Sequence, residues 1–366
     1  MDIIAQNNND VEINLELATK RKTQSQLLNL ESRYKKKSKK KQDKANDLFL
    51  SGDFDSYEKF INNKHNDCTK ISKKAERCGK CGNEIRVLKY ENIETKENKV
   101  KYKARFCDVK WCPVCAGRKT DKLVREFRSI IEQIETHYKD KKLTYLFLTL
   151  AVKNPPLSEL RETIKKMNKA FRSMWRDEEL RKKHILGYIR SIEFLGDKTK
   201  AGYAHPHFHV ILVVDSSYFS RYYISQQKWI DMWQKYLKVD YKPTANIKRI
   251  KDNPKKNMEA KDAALYEVLK YSVAPASIAN LSNDDFDMLD EQTSNVRLYD
   301  RGGVFREFKP LVENENEKLD PKAWRIVESI LFYWKSNLKE YEAYKKNVVD
   351  DNDEDLDSDE DYESSG

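Results

Sequence analysis

The distribution of hydrophobic and polar residues predicts three β-strands in the central part of the chain. Residues 143–152 are apolar on both faces and end just before two prolines, which is typical of a central strand. Residues 187–195 and 207–214 also predict strands, and a loop with two glycines joins them as a hairpin. Because side chains alternate along a strand, His207 and His209 share one face. One rigid element therefore presents two imidazoles.

Apolar residues spaced three and four apart predict helices around these strands. The segments with this spacing are 118–138, 157–174, 225–238 and 258–271. A short strand near residues 246–250 would complete the sheet. The predicted fold class is α+β, with four or five antiparallel strands in one sheet, the helices on one face and the site on the other.

The charge of the chain is distributed unevenly. The formal net charge is +10 over 366 residues, yet the last twenty residues hold ten Asp and Glu and no Lys or Arg. Removing those ten negative charges leaves +20 on residues 1–346, which favours a polyanionic partner. No apolar run approaches the roughly eighteen residues of a membrane span, and the polar start has no signal-peptide core. We therefore expect no membrane partner and a cytoplasmic location.

Composition divides the chain into five segments. Residues 1–66 predict a basic, largely disordered arm, which is either solvated or adds phosphate contacts. Residues 67–117 contain the cysteines, and residues 118–310 carry the predicted sheet and helices. Residues 311–346 predict a C-terminal helical segment. Residues 347–366 predict a disordered acidic tail, which either folds back on the basic body or only increases solubility.

Paired cysteines predict a zinc ribbon. Two Cys-x-x-Cys sequences stand about thirty residues apart, Cys78 with Cys81 and Cys112 with Cys115. Four thiolates complete a tetrahedral zinc site and leave no open position for substrate, so the predicted role is structural. Cys107 is an accessory candidate that could replace one of the four, and Cys68 lies apart as an idle thiol.

The two strand histidines suggest a second metal site. Glu193 on the preceding strand shares their face if the position numbers of facing residues sum to an even value. Two imidazoles and a carboxylate with open positions suit Mg²⁺ or Mn²⁺. Pro206 places His205 just outside the strand, as a weaker accessory candidate. The alternative is a pair of half-exposed histidines without a metal, beside a surface glutamate.

Several motifs, taken in order, resemble those of the rolling-circle plasmid replication initiators of bacteria, within the HUH endonuclease superfamily. The resemblance covers about residues 78–308. The motifs are the cysteine segment ending at 106–115, then 147–150, 187–193, 205–210, 267–271 and 302–305. It implies an HUH endonuclease core, related to RRM and ferredoxin-like folds, behind a four-cysteine zinc ribbon.

The resemblance also implies roles for individual residues. It makes His207, His209 and Glu193 the ligands of a catalytic divalent ion. Tyr271 would be the nucleophile, and Glu267 the base that activates water in the closing step. The spacing of Glu267 and Tyr271 on one helix face is weak evidence by itself. Many members carry a lysine about three residues after the tyrosine; here Ala274 stands there, and Lys270 is the accessory candidate to replace it.

The activity implied is nicking of one DNA strand at a plasmid double-strand origin. A tyrosine would form a 5′-phosphotyrosine and leave a free 3′-hydroxyl primer, and the glutamate would end the round by hydrolysis. The expected partners are origin DNA, with a hairpin or single-stranded nick site, and the host helicase and replication polymerase. The alternatives are a single-tyrosine HUH transposase and a non-catalytic zinc-ribbon DNA-binding protein.

Overall fold

The computed structural model describes residues 2–51, 56, 70–181, 185–196, 198–250, 260–269, 275–311 and 319–348. The chain forms two compact units. The first comprises residues 1–26, 30–114 and 313–366, and the second comprises residues 27–29 and 115–312.

The described helices and strands are numbered in chain order. The helices are α1 (Asp2–Leu28), α2 (Leu30–Leu50), α3 (70–80), α4 (Pro113–His137), α5 (Leu160–Trp175), α6 (Glu178–Arg181), α7 (Ser217–Ser220), α8 (Gln226–Leu237), α9 (Ala260–Leu269), α10 (Pro275–Ala279) and α11 (Asn283–Gln292). The strands are β1 (Glu84–Asn92), β2 (Asn98–Ala104), β3 (Leu143–Ala151), β4 (Ile185–Glu193), β5 (His207–Asp215), β6 (Thr244–Arg249), β7 (Tyr299–Gly303), β8 (Trp324–Lys335) and β9 (Glu340–Val348).

The second unit is built on a five-stranded antiparallel sheet with the order β6-β3-β5-β4-β7. All nine residues of β5, the central strand, are buried. The three strands predicted from the sequence lie next to one another, and the short strand predicted near 246–250 joins them as the edge strand β6. The α+β class and the antiparallel sheet are therefore confirmed.

Helices cover both faces of this sheet, which corrects the prediction that they lie on one face with the site on the other. On the face opposite the histidines, the ring of Phe208 lies 5.8 Å from Phe171 of α5 and 6.2 Å from Trp233 of α8. On the histidine face, Ile211 and Val213 belong to a core cluster that includes residues of α4 and α9. The site therefore shares its face with a packed core and occupies the end of β5 where the strand begins.

The first unit contains a four-stranded antiparallel sheet with the order β2-β1-β8-β9. Its core includes Ile85, Val87 and Tyr341, and Leu15 and Ala18 of α1 pack against it. Burial of this helix against a sheet compensates for the entropy of ordering it.

Two secondary-structure predictions for this unit were wrong. The arm at 1–66, predicted as largely disordered, is helical in α1 and α2. Its basic run starts at Tyr34, which is fully buried under the ammonium group of Lys74, 4.2 Å from the ring centroid. These contacts join residues far apart in sequence, so the composition of the arm did not predict them.

The C-terminal segment at 311–346, predicted as helical, forms the hairpin of β8 and β9 instead. The reason is distant pairing, because β8 forms an antiparallel ladder with β1 more than 200 residues earlier. The acidic tail beyond residue 348 and Cys68 lie outside the described residues. None of the described helices combines the length and apolar character needed to span a bilayer.

Candidate metal centres and active site

Strand pairing brings Glu193 to the two histidines. In the ladder between β4 and β5, Glu193 lies directly opposite His207, and Ser191 lies opposite His209. In both pairs the two position numbers sum to an even value. This is the condition under which Glu193 shares the face of the two histidines. Directly opposed residues of an antiparallel pair point to the same side of the sheet. The predicted pairing is confirmed.

The three side chains converge on one point. Glu193 Oε2 lies 3.1 Å from His207 Nε2 and 2.9 Å from His209 Nε2, and the two Nε2 atoms are 2.9 Å apart. Each residue offers one ligand atom to the same small space, and both histidines are buried. Two imidazoles and a carboxylate with room for further ligands form a donor set that suits divalent ions. These residues therefore fit a cation.

Hydrogen bonds orient the histidine ligands. The backbone oxygen of His205 can only accept, so His207 Nδ1, 2.9 Å away, carries the proton. In the neutral ring, the lone pair is then on Nε2, the atom at the convergence point. This is the arrangement that orients histidine ligands in metal sites. His205 lies outside the cluster. Its Nδ1 atom is 2.7 Å from Asn154 Oδ1, and the centroid of its ring is 5.0 Å from that of His207.

The electrostatics of the cluster keep its carboxylate ionised. Burial raises the pKa of Glu193, but when no cation is bound and the imidazoles are protonated, hydrogen bonds and charge from His207 and His209 outweigh burial and lower the pKa to about 2. An ionised carboxylate is the form that binds a cation. The pKa of His205 is lowered, first by burial and then by the charge of His207.

Helix α9 packs on the same face of the sheet as the histidines. Leu265 and Val268 belong to the core cluster of Ile211, and Glu267 lies on the exposed side of the helix. Tyr271, Lys270 and Ala274 lie outside the described residues. Glu267 therefore lies on a helix, as the sequence predicted. The assignment of Tyr271 as the nucleophile remains a prediction.

The end of α9 is held by two hydroxyl groups that sequence reasoning missed. Thr120 Oγ1 donates to the carbonyl of Leu269 at 2.9 Å, and the Tyr299 hydroxyl donates to the same oxygen at 3.1 Å. Tyr299 pairs with Ser191, which pairs with His209 on its other side. Tyr299 thus points to the histidine face from two strands away. No local pattern in the sequence predicts that Thr120 or Tyr299 contacts Leu269, because both are distant from it along the chain.

A second cluster is formed by cysteines. Its members are Cys81, Cys107, Cys112 and Cys115, all buried, with their sulfur atoms within 4.8 Å of one another. The sulfurs of Cys81 and Cys112 are 3.6 Å apart. Sulfurs bound to one zinc at about 2.3 Å in a tetrahedron lie about 3.8 Å apart. The four thiols therefore fit a structural zinc ion.

The membership of this cluster corrects the predicted set, because Cys107 stands where Cys78 was expected. Cys81 lies three residues before β1, and Cys107 lies three residues after β2. The hairpin register, Ile85 opposite Ala104, brings its two ends together, and Gly82 N donates to Arg105 O at 2.8 Å. Cys78 lies in α3, outside the four-sulfur group.

Two residues of α1 also approach the cysteine cluster, and sequence reasoning missed both. Lys22 is only 4% exposed, and its ammonium group donates to the backbone oxygen of Cys81 at 2.5 Å. Ser25 Oγ lies 3.9 Å from Cys112 Sγ. A buried cation beside a group of thiolates offsets part of their negative charge.

Comparison with known proteins identifies a family and relatives that this chain resembles. Residues 98–346 match the family model described as replication protein. The chain is 30% identical over 298 residues to a protein rep of Bacillus amyloliquefaciens, covering 74% of this chain and 84% of that protein. It is 32% identical over 244 residues to a protein rep of Streptococcus pneumoniae, covering 66% and 72%. No solved structure matched the chain.

The family match includes the whole of the Glu193, His207 and His209 cluster and the strands that position it. It also includes most of the segments on which the resemblance to rolling-circle plasmid replication initiators rested, so that resemblance is confirmed at the level of the family. The chain belongs to the replication protein (Rep) family, and it is a plasmid replication protein.

Proposed function

We propose that this replication protein starts rolling-circle replication by nicking one strand of plasmid origin DNA. The observation that carries the proposal is the convergence of Glu193, His207 and His209 within 3.1 Å of one another on paired strands. A divalent ion bound there, Mg²⁺ or Mn²⁺, supplies positive charge to a phosphoryl oxygen. The remaining chemistry belongs to the side chains of the chain.

In the first step, the hydroxyl oxygen of Tyr271 attacks the scissile phosphorus. A bond forms between that oxygen and phosphorus as the phenol gives its proton to solvent, the bond to the 3′-oxygen breaks, and the 3′-oxygen takes up a proton from solvent to leave as the hydroxyl that serves as primer. The DNA 5′ end remains on the tyrosine as a phosphodiester. A phenol with a pKa near 10 is a weak nucleophile at neutral pH, so the charge at the phosphate must be stabilised.

In the closing step, Glu267 takes a proton from water, which attacks phosphorus and releases the tyrosine. One tyrosine and one glutamate then suffice to end a round. This role is supported by the position of Glu267 on the exposed side of a helix that packs on the histidine face. The helix is also fixed at its end, because Thr120 and Tyr299 both donate hydrogen bonds to the carbonyl of Leu269.

The four-cysteine cluster takes a structural role in this proposal. Four thiolates around Zn²⁺ leave no position for substrate, so the role of the ion would be structural. From the family we also infer that the chain acts in the bacterial cytoplasm. Host helicase and replication polymerase would there use the 3′-hydroxyl that nicking exposes. An origin that extrudes a hairpin would present the single-stranded nick site.

The test is conversion of a supercoiled origin plasmid to the nicked form. Wild-type protein with Mn²⁺ should nick one strand, and the His207→Ala and His209→Ala variants should lose nicking in a way that excess Mn²⁺ partly restores. A matched plasmid without the origin is the control. A protein that binds origin DNA yet never nicks it, with any divalent ion, would instead be a non-catalytic DNA-binding protein. Efficient joining of strands at element ends would favour the transposase.

A further inference from the structure

A cluster of aromatic rings follows the central strand β5. Phe219 is 40% exposed and Tyr223 is 59% exposed, while Tyr218 is buried. The centroid of the Tyr218 ring lies 5.3 Å from that of Phe219 and 6.1 Å from that of Tyr223. One buried ring therefore supports two rings that face solvent.

The segment that carries these rings is anchored at both ends. Asp215, the last residue of β5, accepts a hydrogen bond from Ser217 N at 2.8 Å. The Tyr218 hydroxyl accepts from Ile224 N at 3.4 Å, and Ser225 caps helix α8 by accepting from Lys228 N at 3.2 Å. The exposed rings are thus held in position before any ligand arrives, which lowers the entropic cost of binding.

Basic residues surround the exposed rings. The guanidinium carbon of Arg249 lies 5.3 Å from the centroid of the Phe219 ring, a cation-π contact. Arg221, two residues after Phe219, is also exposed. Aromatic rings interleaved with cations are the combination that binds single strands, because rings stack on bases and cations contact phosphates.

We propose that Phe219, Tyr223, Arg221 and Arg249 form a binding surface for single-stranded DNA, here called the aromatic platform. The inference rests on the proposed function, in which the chain acts on DNA, and names a form of DNA that it holds away from the nick. Bases stack on the two rings, and the two cations contact the phosphates. The net charge of +20 on residues 1–346 favours this polyanion over an acidic or neutral apolar partner.

The platform and the candidate active site stand on one sheet but on different faces. His209 and Asp215 are the third and last residues of β5, so about 20 Å of strand separates them. Arg249 pairs with Leu146, which pairs with Leu212 of the same strand β5, so Arg249 lies on the face opposite the histidines. A single strand held at both places would therefore pass around the edge of the sheet at β6.

The first experiment measures binding of labelled oligothymidine and of a blunt duplex of equal length, by fluorescence anisotropy without divalent metal. Phe219→Ala and Tyr223→Ala should each weaken oligothymidine binding at least about fivefold, since one stacked base contributes at least that much. Duplex binding should stay within about twofold. Phe219→Tyr should retain binding, and Tyr344→Ala, an exposed ring of the other unit, is the matched control.

The second experiment locates the contact in the wild-type protein, so it does not depend on a variant that folds. Oligothymidine containing 5-iodouracil is cross-linked by light, and the modified peptide is found by mass spectrometry. Cross-links to residues 216–225 support the proposal. Cross-links that map only outside this segment, unchanged oligothymidine affinity in both alanine variants, or an equal loss of duplex binding would overturn it. Both measurements stand apart from nicking, so a failure of the proposed nicking activity would be recognised separately.

Discussion

Glu193 and His207 face one another across neighbouring antiparallel strands, with Glu193 Oε2 3.1 Å from His207 Nε2. A shift of one residue in this pairing would turn Glu193 to the opposite face of the sheet. The geometry of the candidate metal centre is thus a direct consequence of strand register.

Removal of either Glu193 or His209 should weaken divalent-ion binding. We expect Glu193→Ala and His209→Ala each to lower Mn²⁺ affinity by at least about tenfold, because even outer-shell partners of metal ligands contribute 10–100-fold. Titration calorimetry measures this directly. Ser191 lies opposite His209, so Ser191→Ala is the matched control. A larger loss in His205→Ala than in His209→Ala would mean that the ligand set is different.

The cysteine cluster makes a prediction that separates two neighbouring thiols. Cys107→Ser should lower bound zinc well below one ion per chain and lower the melting temperature, because one of four ligands is lost. Cys78→Ser should leave both values near those of the wild type. Metal analysis and thermal unfolding provide the measurements. The reverse result would restore the pair predicted from Cys-x-x-Cys spacing.

The anchor at the end of α9 predicts a change in stability and in its dependence on pH. Tyr299→Phe removes a hydrogen bond to Leu269 and should lower the free energy of unfolding by about 1 kcal/mol. Burial raises the pKa of Tyr299 to about 12, an effect that its hydrogen bond with Thr120 partly offsets. Because the folded pKa is the higher one, this stabilisation is complete below pH about 10 and is lost as the pH rises toward 12.

Urea unfolding of wild type and Tyr299→Phe across that pH range checks this prediction. The wild type should lose more stability than the variant between pH 10 and 12. Parallel curves would mean that Tyr299 ionises as easily in the folded chain as in the unfolded one. Thr120→Val provides a second variant that removes a hydrogen bond to the same carbonyl without removing a titratable group.

Deletion of residues 350–366 tests the acidic tail. If the tail competes with DNA for the basic body, the deletion should raise DNA affinity at low salt and have a smaller effect at high salt, where charges are screened. Anisotropy at two salt concentrations measures this. Equal affinity of the two proteins at low salt would leave the tail with a solubilising role only.

Local patterns predicted the central sheet and the grouping of Glu193, His207 and His209 on one face. The strands of His207 and Glu193 are rich in β-branched and aromatic residues, and the two-residue periodicity of a strand fixes which side chains share a face. All three residues of the candidate metal centre lie on two strands joined by one loop, so the short-range pattern was sufficient to predict that they share a face.

The features that the sequence did not reveal depend on contacts between distant residues. Cys107 joins the thiol cluster only because a hairpin returns it to Cys81, and the strand from Trp324 is ordered by pairing with β1. Lys22 reaches Cys81 from a helix with no apolar stripe that would mark it as packed. Composition alone made that helix look like a solvated arm.

The covalent intermediate tests the central claim most directly. A single-stranded origin oligonucleotide is incubated with the protein and Mn²⁺, the complex is denatured and digested, and the peptide attached to the DNA 5′ end is identified by mass spectrometry. We predict a phosphodiester on Tyr271 in the wild type, accumulation of the same adduct in Glu267→Ala, and no adduct in Tyr271→Phe. The Tyr266→Phe variant should still form it. An adduct on Tyr266, or nicking at the wild-type rate by Tyr271→Phe, would contradict the account.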